Sequence, residues 1–194
     1  MPLDRAFAAG LALLAAEKDI LLIADEVQCG NGRTGMLYGY MNYGIKPDIV
    51  STAKGLAGGL PLGATLLGEK AEKVFTPGTH GSTFGGNPVC CAGALNILSR
   101  LDAALFADVK RKSEYIIKEL SGARGIKSIT GLGLMLGIET EGDASQIIEK
   151  CMERGVLPLK AKNKLRLLPA LNIPDELLKK AVSVIKETCA EVKP

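Results

Sequence analysis

Asp48-Ile-Val-Ser-Thr-Ala-Lys54-Gly-Leu-Ala-Gly-Gly59 is the stretch that decides the fold. An apolar run opens it, a glycine-rich turn closes it, and a lysine stands between them. Apolar runs without alternation are how strands of a parallel sheet covered on both faces read. Residues 20–24 form a second such run, ending on Asp25, and residues 62–67 form a third. In open parallel sheets ligands bind beyond the carboxyl ends of the strands. Asp25 and Lys54 are therefore both expected at a binding edge.

Outward from these strands, residues 3–18 read as a helix, because Leu3, Phe7, Leu11, Leu14 and Ala15 recur at helical spacing. Residues 30–39 are glycine-rich and polar, hence loop. A short helix is predicted over 69–75 and a loop over 76–87. Pro88 suits the first position of a helix that runs to about residue 101. A further helix covers 105–120. The pattern then changes. Residues 126–129, 134–139, 156–159 and 165–168 read as short strands, 145–154 as a helix, and 174–192 as a terminal helix begun by Pro174 and Asp175.

The predicted class is α/β. Residues 1–100 would be part of a larger domain, a mostly parallel sheet with helices, and residues 101–194 a small α+β domain. Three strands with apolar faces on both sides need partner strands and covering helices that this sequence does not supply. The chain is thus expected to be incomplete, through an internal start or as a fragment, and an alternative to an active enzyme is that on its own it is an inactive, self-associating module without a bound cofactor.

With 47% hydrophobic and 23% charged residues, the composition is that of a globular protein rather than a disordered one. A net charge of +3, no basic block and only 4% aromatics do not suggest nucleic acid as a partner. No apolar run approaches the roughly 20 residues of a membrane helix, and residues 1–19 do not build a signal peptide. Five cysteines without CxxC spacing and a single histidine, His80, give neither a disulfide framework nor a metal site. A reducing cytoplasm is the expected location.

Asp25 and Lys54 carry the chemistry. A carboxylate beside a pyridine nitrogen keeps it protonated, and a lysine forms a Schiff base with an aldehyde, which together are what pyridoxal 5′-phosphate (PLP) requires. Partial burial at the strand end would make the Lys54 amine more nucleophilic. The rival for residues 21–26 is the acidic strand of an ATPase, but no GxxxxGK[ST] loop accompanies it. Residues 78–88, rich in hydroxyls and glycines, suit a phosphate or an ordinary loop. Arg166, inside an apolar run, either binds a carboxylate or faces water on a strand. Arg33 reads as a structural loop arginine.

Four ordered blocks resemble the class III, or ornithine-type, aminotransferases of the fold-type I PLP enzymes. They are Asp25-Glu26-Val27-Gln28 with Gly32-Arg33-Thr34-Gly35, Pro47-Asp48-Ile49 through Lys54-Gly55, Gly81-Ser82-Thr83-Phe84-Gly85-Gly86-Asn87-Pro88, and Leu165-Arg166-Leu167-Leu168-Pro169. The resemblance covers the carboxyl-terminal half of such an enzyme. It implies that Lys54 is the Schiff-base lysine and that Asp25 holds the pyridine nitrogen, with Val27 and Gln28 against the ring and its 3-oxygen. It implies that Thr83 reaches the cofactor phosphate of the other subunit of a homodimer, that Ser82 lies near the substrate, and that Arg166 binds the substrate α-carboxylate. The implied reaction moves an amino group from an amino acid to a 2-oxo acid. N-acetylornithine and 2-oxoglutarate are favoured, in arginine biosynthesis, with ornithine, succinylornithine and 4-aminobutyrate as alternative donors.

Overall fold

The structure, a computed structural model, describes residues 1–193. The chain divides into two compact units, Leu3–Phe106 and a second that runs from Ala107 onward and includes Met1–Pro2.

The first unit opens with α1 (Arg5–Glu17), whose N-cap Asp4 accepts a hydrogen bond from the Phe7 amide. This satisfies one of the donors a helix start leaves unpaired. A three-stranded sheet follows, β1 (Ile23–Asp25), β2 (Ile49–Thr52) and β3 (Ala64–Leu67), in that order across the sheet. β1 and β2 are parallel, with Asp25 opposite Ser51. β2 and β3 are antiparallel, with Thr52 opposite Ala64. The three strands of this chain therefore form a mixed sheet. A parallel return needs a crossover of about a dozen residues or more, usually with a helix. Residues 53–63 hold only the 3-10 turn Lys54–Ala57, so the chain doubles back.

The outer strands leave apolar side chains uncovered, as expected of strands that lack some of their covering partners. Ile23 is 62% exposed and Leu66 44%, while Val50 on the central strand is 6% exposed. Only the middle strand of three has neighbours on both sides. Residues 69–73 make isolated turns instead of the expected short helix. Their bonds, such as Glu72 N–H to the Gly68 carbonyl, do not propagate, and so short a run before Pro77 cannot offset helix nucleation. α2 (Pro88–Leu98) begins with proline at its first turn, and the Asn87 side chain accepts from the amides of Val89 and Cys90.

The second unit is α+β. Its sheet has the order β4–β5–β7–β6, built from β4 (Ile126–Leu132), β5 (Met135–Thr140), β6 (Leu159–Ala161) and β7 (Lys164–Leu167), and every pair is antiparallel. β6 begins later than its apolar run does, because Pro158 has no amide to give a ladder. Leu136, Ile138 and Thr140 alternate inward along β5. α3 (Ala103–Leu120), α4 (Ala144–Glu153) and α5 (Asp175–Glu191) cover the sheet's apolar face with Val109, Ile116, Leu120, Ile147, Cys151, Leu178, Val182, Ile185 and Cys189. The buried Lys112 pairs with Asp108 at 2.6 Å and donates to the Leu171 carbonyl at 3.2 Å, tying α3 to the segment after β7.

Candidate active site

Parallel pairing sets the geometry. Asp25 ends β1 directly opposite Ser51 of β2, and Lys54 follows two residues after β2 ends. Asp25 Oδ1 accepts from the Val27 amide at 3.0 Å and from the Ser51 hydroxyl at 3.3 Å. Those two donors orient the carboxylate while it stays solvent-accessible. Ser51 is a partner that alternation along β2 could have pointed to, since it shares a face with the residue opposite.

Lys54 has φ +52°, in the left-handed region that non-glycine residues rarely occupy. Such strain persists only where the surroundings impose it. Here it turns the chain from β2 into the 3-10 turn, in which the Leu56 amide donates to the Ala53 carbonyl at 3.1 Å, and Leu56 and Ala57 pack under α2. The Lys54 side chain is exposed, not partly buried as expected. It lies beyond the strand end, where the sheet no longer covers it.

The loop after β1 is held by buried polar groups. Glu26 is 2% exposed, and its carboxylate accepts from the Gly39 amide at 2.7 Å and the Tyr40 amide at 2.8 Å. A Cβ on Gly39 would sit 3.1 Å from that carboxylate, and one on Gly30 would sit 2.7 Å from the Glu26 carbonyl. Both positions need glycine for close approach. Burial, and next the Glu26 carboxylate, push the Cys29 thiol up to about 11. The Cys29 thiol donates to the Asp25 carbonyl. Asn31, 8% exposed, donates from Nδ2 to the Ala53 carbonyl at 3.0 Å and to Thr52 Oγ1 at 3.2 Å. Sequence reasoning assigned neither Glu26 nor Asn31 a role. The Asn-Gly pair at 31–32 was the available signal, as a turn that needs left-handed backbone.

Val27 is half-buried and Gln28 exposed, both just past Asp25. Ser82 and Thr83 lie on the exposed loop before α2, where the Gly85 amide donates to the Ser82 carbonyl. Among the described residues no hydrogen bond joins Ser82 or Thr83 to Asp25 or Lys54. His80 packs edge-on to Phe75. Arg166 belongs to the second unit, half-buried on β7 between Gly137 of β5 and Leu159 of β6. Among the described residues no group of three or more His, Cys, Asp or Glu side chains could hold a metal. No single helix there is long and apolar enough to cross a membrane.

An accessible amine and an oriented carboxylate at the ends of adjacent parallel strands fit a cofactor that presents an aldehyde and a ring nitrogen. Comparison with known proteins points the same way. The family described as Aminotransferase class-III matches residues 1–189. The acetylornithine aminotransferase of Haemophilus ducreyi is 46% identical over 192 residues, covering 98% of this chain and 49% of that protein. That of Corynebacterium efficiens is 41% identical, covering 99% and 48%. The chain thus spans about half the length of the curated relatives it matches. Among solved structures, the N-acetylornithine aminotransferase of Stenotrophomonas maltophilia K279a superposes with a TM-score of 0.88 at 32% identity, over 98% of this chain and 52% of that one. The ornithine δ-aminotransferase of Plasmodium falciparum gives 0.86 at 31%, over 96% and 51%. By matched length, identity and fold, the chain belongs to the class-III aminotransferases, a family that depends on pyridoxal 5′-phosphate.

Proposed function

We propose that this chain supplies the cofactor-bearing lysine and the ring-nitrogen carboxylate of an enzyme that transfers an amino group from N-acetylornithine to 2-oxoglutarate. The observation that carries the reading is Asp25 and Lys54 at the carboxyl ends of neighbouring parallel strands, with Lys54 in left-handed backbone. The names of the relatives at 46% and 41% identity support N-acetylornithine as donor. A place in arginine biosynthesis, a cytoplasmic location and assembly as a homodimer belong to the same reading.

When bound, pyridoxal 5′-phosphate supplies an aldehyde that condenses with an amine, releasing water, and a protonated ring that accepts the electron pair left when a proton leaves the substrate α-carbon. Asp25 holds the proton on the ring nitrogen, steadied by Ser51 and the Val27 amide. Val27 and Gln28 would lie against the ring and its 3-oxygen. The Lys54 amine is the attachment point and afterwards takes the α-proton and returns it. Thr83 is assigned to the phosphate of the partner subunit's cofactor and Ser82 to the substrate. Arg166 is assigned to the substrate α-carboxylate, which a guanidinium can grip with two parallel hydrogen bonds.

The test uses the protein as the cell makes it, incubated with PLP and reduced with borohydride, followed by peptide mass spectrometry. The Lys54 peptide should carry the pyridoxyl phosphate, and Lys54→Ala should abolish that adduct. Turnover of N-acetylornithine with 2-oxoglutarate should fall by roughly 10²–10⁴-fold or more in that variant, the usual contribution of a positioned proton-transfer group. A stoichiometric adduct elsewhere in the chain would overturn the assignment. Faster turnover of unmodified ornithine would overturn the donor.

A further inference from the structure

We propose that Asn31 is a positioning residue for Lys54, holding the strained peptide from which the cofactor-bearing side chain projects. The inference rests on the reading of Lys54 given above.

Three observations carry it. First, the Asn31 amide reaches across from the loop after β1 to the end of β2, donating to the Ala53 carbonyl at 3.0 Å and to Thr52 Oγ1 at 3.2 Å. A carbonyl can only accept, so the amide nitrogen must face it and the side-chain orientation is fixed. Second, that carbonyl belongs to the peptide joining Ala53 to Lys54. The Leu56 amide donates to the same oxygen at 3.1 Å. With Ala53 at ψ −149° and Lys54 at φ +52°, two donors on one oxygen set the rotation of the plane that begins Lys54. The 3-10 turn supplies one donor and Asn31 the other.

Third, Asn31 sits in this turn at an expense to local stability. It has φ +54°, and its Oδ1 is buried with no hydrogen-bond partner. A buried acceptor without a partner is unfavourable and rare, and calls for an explanation. Backbone geometry alone does not supply one. Glycine would fit the left-handed turn with less strain, and glycines already flank the position as Gly30 and Gly32. What glycine lacks is the Nδ2 donor. Without it the Ala53–Lys54 peptide would be free to relax toward ordinary φ, and the lysine side chain would leave the binding edge.

Asn31→Gly tests the amide while leaving the turn able to form. Hydrogen exchange at the Leu56 amide, whose acceptor is the Ala53 carbonyl, should speed up about tenfold, the scale of one buried hydrogen bond. Exchange in β1 and α2 should stay as in the native protein. After timed incubation of the whole protein with PLP and borohydride reduction, labelling of Lys54 should slow by about the same factor, while labelling of exposed Lys46 and Lys70 is unchanged. Thr52→Val, which removes only the second anchor of the amide, should shift both readouts in the same direction by less. It serves as the test variant should Asn31→Gly fail to fold. Native-like Leu56 exchange and Lys54 labelling in the variants, with Lys54→Ala unlabelled, would overturn the role of Asn31 alone. Labelling that bypasses Lys54 in the native protein would overturn the underlying reading instead.

Discussion

Side chains from α3, α4 and α5 and from strands β4, β5 and β7 meet in one apolar cluster in the second unit, with Val109, Ile116, Leu120, Leu134, Ile138, Ile147 and Leu165 fully buried. The first unit has nothing comparable. Its buried cluster is Leu56, Ala57 and Ala94, with Leu62 against it, while Phe7, Leu13, Ile23, Val89 and Leu95 stand exposed. What it buries instead around the strand ends is polar: Glu26, Asn31, Thr34 and Thr52. One unit is organised by the removal of apolar surface from water. The other is organised locally by hydrogen bonds that fix loops beside Asp25 and Lys54. The residues around Asp25 and Lys54 are thus fixed by local hydrogen bonds, while apolar side chains of β1 and α2 stand uncovered in a chain that spans about half the length of its relatives.

The same substitution in the two units should break that comparison most sharply. Leu136→Ala removes a side chain 1% exposed within the cluster, and should destabilise the second unit by about 2–5 kcal/mol, the range for large-to-small core changes. Leu95→Ala on α2, 70% exposed, should stay within about 0.5 kcal/mol. Segment-resolved hydrogen exchange in urea reads both, and equal effects would erase the distinction. Next in size, Glu26→Gln leaves one of the Gly39 and Tyr40 amides without its acceptor. It should destabilise the loop by about 1–3 kcal/mol, and Cys29 should alkylate faster because a neighbouring negative charge is gone. Protection of residues 39–40 and the alkylation rate check this.

The smallest expected effect is on pH dependence, and it again separates the units. In the second unit, carboxyl groups are held below their ordinary range. Asp108 is held there first by its bond to Lys112, Glu139 by Lys164, Asp143 by the Gln146 amide, Asp175 by Arg111, and Glu191 by Arg154. In the first unit, among the described residues, the carboxyl with a resolved downward shift is Asp19 beside Lys70. A depressed carboxyl contributes stability above its unfolded value, and that stability is lost as pH falls through the folded value. Both units should therefore be flat from neutral pH to about 5, and below about pH 4 the second should lose protection more steeply. Arg154→Ala should blunt that acid-sensitive loss at α4 and α5, as read by exchange across a pH series.

Periodicity made much of this architecture legible. The inward alternation of β5 and the 178, 182, 185, 189 spacing of α5 are patterns of apolar residues, and burial follows them directly. Asp25 and Lys54 were legible as residues following apolar runs, and each stands at such an end. Less legible was whatever depended on neighbours distant in sequence. The direction of β3 followed from the shortness of 53–63, not from its apolar composition. Lys112 reads as an ordinary surface charge on an amphipathic helix, yet it is buried, because Asp108 and the Leu171 carbonyl are there to receive it. Asn31 reads as a loop residue and Glu26 as the acid after Asp25, because their partners at 52–53 and 39–40 are fixed only by the folded chain.

The backbone at Lys54 has an evolutionary consequence. Replacing the proposed attachment lysine with glycine would abolish its chemistry and at the same time relieve a conformation that disfavours side chains by roughly 1–2 kcal/mol. Inactivating drift at this position would be met with a gain in folding stability rather than a loss. A lineage freed from the need for transamination should shed this lysine early and keep the fold, so the residue found at position 54 reports on whether selection for activity is still in force.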